Sequence, residues 1–180
     1  MRNGRKPAGE GGTASNAALA GESKPAGGRK PAGEGNAYES NARGVLQLYG
    51  AFVEGTPDCT LAVVSSAPLS QQARSALRAS AERLGYGEDA CAWIVLANEA
   101  GELGASDVLS VVEGLDPFGV VATDARAVAQ LSAAFDTSMK VGASNRAACR
   151  TVAALADFEA ALQDAEAKQK AWSVLKRLAR

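Results

Sequence analysis

A chain of 180 residues with 47% apolar side chains is long and apolar enough to fill one domain-sized core. It contains no histidine, which excludes Ser-His-Asp and Cys-His catalysis, His-ligated zinc and imidazole proton transfer near neutral pH. A formal net charge of −1 steers the molecule as a whole toward neither nucleic acid nor acidic substrates, so any such attraction has to be local.

Residues 1–37 read as a disordered low-complexity tail and residues 38–180 as a single α/β domain. The octapeptide GRKPAGEG occurs twice, at 4–11 and 28–35. So much Gly, Pro, Ala and charge cannot bury enough surface to offset the entropy of ordering. The first 36 residues carry six Lys or Arg against three Glu, an excess that predicts either a solubilising extension or weak contact with nucleic acid. No run approaches the roughly 18 apolar residues of a membrane span, and the polar N-terminus lacks a signal-peptide core, so the expectation is a cytoplasmic protein without membrane contact. Cys59, Cys91 and Cys149 are far apart and form no CxxC pair. They predict reduced, largely buried thiols, with no metal site and no cofactor.

The folded part opens with a helix over 38–53, marked by Val45, Leu46, Tyr49, Phe52 and Val53, with Ser40 or Asn41 able to cap it. A buried strand over 60–65, the loop SSAPLS and a helix over 70–84 follow, the helix turning Ala73, Leu77, Ala81 and Leu84 inward and stopping at Gly85 and Gly87. Residues 90–97, ACAWIVLA, are continuous rather than alternating in polarity, which predicts a strand covered on both faces, with Asn98 at its carboxyl end. A helix over 105–115 leads to the central unit, 115–135, in which the apolar run 118–122 turns at Thr123 and Asp124 straight into a helix bearing Val128, Leu131 and Phe135. Beyond it a short strand is expected around Met139–Val141, and 144–150 is polar and unassigned. From Val152 a terminal helix is expected to cover one face of the sheet through Leu155, Phe158, Leu162, Trp172 and Leu175, with Trp172 as a buried anchor. Lys168, Lys170, Lys176, Arg177 and Arg180 crowd its end, where cations suit the helix dipole. Strands alternating with helices predict an α/β fold, a three-layer parallel β-sheet of three to four strands flanked by helices.

In this order the units resemble the uracil-DNA glycosylase superfamily over roughly residues 60–135. Pro117, Val120, Val121, Ala127 and Leu131 match that family's proline, strand and Ala/Leu helix, Ser66-Ala67-Pro68 falls at its loop after the first strand, and Leu84-Gly85 and Asn98 flank its second strand. An open parallel sheet forms its ligand sites at the carboxyl ends of strands, which is where these matches fall. Departures from the family's pattern imply that base excision is lost: Ser66 stands where the family carries an acidic or amide side chain, Leu69 replaces a glycine, Asp124 stands where the central turn often has glycine, and the His-Pro-Ser type loop and iron-sulfur cysteines are absent.

Three candidate ligand-binding residues emerge, and no catalytic one. The Asn98 carboxamide could pair with the edge of a flipped base, although asparagine also suits turns. Asp124 could orient a ligand or act as a base, although an Asp that caps the following helix accounts for it equally well. Ser66, like Ser65, lacks a base to activate it as a nucleophile, and Cys91 within an apolar strand should be an inert core thiol. Two functions compete: a non-catalytic glycosylase-like domain with weak nucleic-acid binding, or an accessory domain that binds an unidentified protein and no nucleotide; a small-molecule enzyme using Asp124 with backbone amides ranks third. Clustering of Arg43, Arg126, Arg146, Arg150 and the C-terminal cations around the strand ends favours the first, and scattering favours the second.

Overall fold

The computed structural model describes residues 37–179, so the expectation for the tail lies outside the described residues. Four short apolar runs make the centre of the molecule. β2 (Leu61–Ser65), β3 (Cys91–Val95), β6 (Gly119–Ala122) and β8 (Arg150–Ala154) pair in parallel in the order β3-β2-β6-β8. Two antiparallel edges flank them: β1 (Val53–Glu54) on β3 and β7 (Ala143–Ala147) on β8. The result is a six-stranded, mostly parallel sheet, in which β1, β7 and β8 add to the strands the sequence places at 60–65, 90–97 and 118–122. A separate two-stranded hairpin, β4 (Ala97–Asn98) with β5 (Gly101–Glu102), follows β3.

Helices cover both faces, as the continuous apolar strands require. α1 (Ala37–Leu48), α3 (Ala105–Leu115) and α4 (Ala125–Ala134) pack against Ala62, Val64, Ile94, Val120 and Val152. α2 (Gln71–Arg83), α5 (Phe158–Ala161) and α6 (Ala165–Leu175) cover Leu61, Val63, Trp93, Val121 and Ala153 on the other face. Among the described residues, no helix is long and apolar enough to cross a membrane.

The helix boundaries follow local chemistry. Ser70, Asp124, Asp157 and Asp164 each accept a first-turn N–H through a side-chain oxygen, and Gly85 and Gly87 take positive φ beyond α2. Four expectations are corrected. α1 ends at Leu48 and Val53 belongs to β1, while Ser40 and Asn41 lie inside the helix rather than at its cap. Met139–Val141 is not a strand: Val141 is 40% exposed, and the strand pairing begins at Ala143. Residues 152–154 are strand, because Val152 and Ala154 turn to one helical layer and Ala153 to the other; the terminal helix is two pieces that start later. Phe118 is 58% exposed, outside the buried run, and Trp172 is half-buried at the rim of its layer while Ala171, Val174, Leu175 and Leu178 are the buried contacts.

Two ties hold the sheet's amino end. The Arg150 guanidinium reaches Glu113 and Asp116 at 2.6 Å each and donates to the Pro117 carbonyl at 3.2 Å, joining α3 to the β7–β8 hairpin. The Tyr86 hydroxyl donates to the Leu178 carbonyl at 2.6 Å, closing the C-terminal turn over Gly119.

α1 crosses α3 at Gly114, where an added Cβ would lie 2.2 Å from Val45 Cγ2. Gly→Ala in a helix ordinarily stabilises by about 1 kcal/mol. Here the stiff β-branched Val45 stands in the way, so Gly114→Ala should instead lower stability by about 1–3 kcal/mol, read from denaturant midpoints at unchanged slope.

Candidate functional site

Strand order reverses between β2 and β6, and an open α/β sheet usually holds its ligand in the crevice outside the carboxyl ends at such a point. In this protein the chain's own groups close that crevice. Asp124 Oδ1 accepts the Ala127 N–H at 2.9 Å as the cap of α4, while Oδ2 accepts the Ser66 N–H at 2.8 Å across the gap. The buried Thr123 hydroxyl lies 3.2 Å from both the Val64 carbonyl and Asp124 Oδ2, acceptors between which its one proton is shared. A second lacing lies beside the first. Ser70, the cap of α2, donates its N–H and hydroxyl to the two carboxylate oxygens of Glu159 at 2.6 and 2.8 Å. Backbone bonds from Ala125 to Ala156 and from Phe158 to Thr123 join the exits of β6 and β8.

The structure therefore brings Ser66 and Asp124 together but leaves Asn98 apart from them. Ser66 contributes its backbone N–H, and its side chain is half-buried. Asn98 sits at the β4–β5 turn, where Oδ1 accepts the Ala100 N–H at 2.8 Å and Nδ2 donates to the Ala51 carbonyl at 2.6 Å. It forms a side-chain turn and straps down the segment before β1.

One opening at the carboxyl edge lies to the side, between β3, β1 and the start of α2. A cleft of about 420 Å³ is lined there by Glu54, Ser65, Leu69, Arg74, Trp93 and Val95, among others. Trp93 is 5% exposed, with the Arg74 guanidinium 4.6 Å and the Arg78 guanidinium 5.5 Å from its ring centre. A guanidinium this close to an aromatic face is attracted by the ring's electrons. Arg74 Nη2 also reaches Glu54 Oε2 at 2.6 Å. None of Glu54, Arg74 and Trp93 was singled out from sequence. The available signal was weak: two arginines one turn apart on the helix preceding a strand tryptophan, with nothing local to say that they meet.

Burial first, then the neighbouring Cys91 and Asp58, pushes the Cys59 thiol up to about 11, and burial does the same to Cys91. Both are inert core thiols. Cys149 is exposed at the β7–β8 turn, contrary to the expectation of burial.

No protein-family model matches the chain, and no characterised protein matches it in sequence.

Because only thiolate reacts, a disulfide reagent at pH 8 should label one cysteine per folded chain quickly and all three only after denaturation. Labelling confined to position 149 by peptide mass would agree with this arrangement. Rapid labelling of Cys59 or Cys91 would show that the first strands open far more readily than their packing allows.

Proposed function

We propose that this domain is non-catalytic and works as an accessory module that binds another protein and takes no nucleotide. The observation that carries this reading is the groove between α2, α5 and α6. Trp172 stands half-buried in it beside Ala76, Ser80, Phe158 and Leu162, and Arg83 and Lys168 at its rim form no ion pair among the described residues. A partly accessible tryptophan with arginine beside it is the composition of protein-interface hot spots. The arrangement of the other cations supports the same reading. Arg43 pairs with Glu39 on α1, Arg126 with Glu102, and Arg150 with Glu113 and Asp116 at the far end of the sheet. Arg146 lies on the outer edge strand, and Lys176 and Arg177 follow α6. They are scattered, and residues 37–179 hold twelve Lys or Arg against seventeen Asp or Glu, which disfavours a polyanion.

A second reading, a degenerate glycosylase-like domain holding nucleic acid weakly, is favoured by one observation. Ser66, Asn98 and Asp124 all follow the carboxyl ends of parallel strands, the edge at which an open parallel sheet forms its ligand sites. The locked carboxylate and carboxamide argue against it as a base-reading site.

Two measurements separate the readings. Photo-crosslinking from position 169 in cells of origin should capture a discrete protein whose yield falls about tenfold or more with Arg83→Glu and Lys168→Glu together, a loss typical of interface hot spots. The same full chain should produce no abasic sites in uracil-containing oligonucleotides and no salt-sensitive retention of them. Retention that is strong at low salt and lost at high salt, with crosslinking indifferent to the charge reversals, would replace the accessory reading with the nucleic-acid one.

A further inference from the structure

The cleft beside β3 holds polar groups that the fold does not use. Ser65 ends β2 and is 3% exposed, and its hydroxyl makes no hydrogen bond among the described residues. Among those residues no side-chain nitrogen or oxygen sealed from solvent lacks a partner, so the hydroxyl must open into the cleft that Ser65 lines. A nearly buried donor aimed into a hollow is stabilised only when something there accepts from it. Arg74, on the wall, has donors to spare: it meets Glu54 through Nη2 alone, which leaves the rest of its fork free of protein acceptors among the described residues. Its guanidinium carbon lies 4.6 Å from the Trp93 ring centre, which holds the group on that wall of the cleft.

Glu54 shows what the fork accepts. It is a carboxylate on a two-residue edge strand with 67% of its side chain exposed, so a ligand can displace it with little cost to the fold. Around the charges the lining is apolar: Pro68, Leu69, Trp93 and Val95. The volume of about 420 Å³ suits one small organic molecule.

We propose that this cleft is a binding site for a small carboxylic acid with an apolar body. The carboxylate takes the place of Glu54 on the Arg74 fork, the Ser65 hydroxyl supplies the second donor, and the body lies against Trp93, Leu69 and Val95. The planar fork matches a carboxylate with two parallel hydrogen bonds. The site stands on different residues from the α2–α6 groove and does not depend on a protein partner.

The test is calorimetry on the full chain with 4-phenylbutyrate and indole-3-propionate, each against its neutral primary amide. The acids should bind and the amides should bind about tenfold more weakly or worse, because the charge-assisted bonds are lost. Ser65→Ala, which breaks no internal hydrogen bond, and Arg74→Met, which keeps the apolar stem, should each weaken the acids several-fold. Glu54→Gln should tighten them, because it weakens the internal competitor for Arg74; thermal melts confirm that each variant is folded. Equal affinity for acid and amide would overturn the proposal, as would weaker acid binding in Glu54→Gln. Absence of heat from either acid up to about 10 mM, weaker than any specific small-molecule site, would overturn it as well.

Discussion

One carboxylate, that of Asp124, holds the exits of the two central strands together. Through Oδ1 it starts α4, and through Oδ2 it fixes the first backbone amide after β2. Both amides, in part-buried positions, would otherwise lack a protein partner, and an unpaired amide costs up to about 1–3 kcal/mol. The rest of the carboxyl edge depends on this joint. Once the exit of β2 is set against that of β6, the loop 66–70 can bring Ser70 to Glu159, and α2 can lie across β2 and β3 with Ala73, Leu77 and Ala81 beneath it.

The functional consequence is a reversal of what the topology offers. The strand-order reversal opens a crevice where α/β sheets ordinarily bind ligands, and here side chains from β6, α2 and α5 fill it. Two open surfaces lie one on each flank of α2. On one, Arg74 and Trp93 share a cleft with Ser65, whose hydroxyl has no partner among the described residues; on the other, Ala76, Ser80 and Arg83 share a groove with Trp172. A helix that places cations in the clefts on both its flanks, in a domain whose charge is otherwise negative, is suited to selecting anionic groups locally.

Much of this fold was legible in the sequence where local chemistry and burial agree. The strands 61–65, 91–95 and 119–122 are unbroken apolar runs, and Ser70 and Asp124 cap the helices that follow. The β7–β8 hairpin was not legible, for a specific reason: its two-residue turn is Ala148-Cys149, both at positive φ, where Asn-Gly would have announced it. β8 itself, rich in alanine, carries no period that separates a central strand from a helix. The site was half legible. That Asp124 would cap α4 follows from its position, whereas its bond to Ser66 joins residues 58 apart and needed the strand order. Trp93 read only as core because its two arginine neighbours come from the helix one unit earlier.

The claim that Asp124 serves the fold rather than chemistry is tested most directly by amide hydrogen exchange in Asp124→Ala. Two amides at an exposed loop and a helix first turn, Ser66 and Ala127, should be slow in the parent and should both accelerate about tenfold or more in the variant, with a loss of about 2–4 kcal/mol in global stability from the missing cap and the unpaired amide. Unchanged protection of both amides, with stability intact, would contradict the account and leave the Asp124 carboxylate free for a ligand.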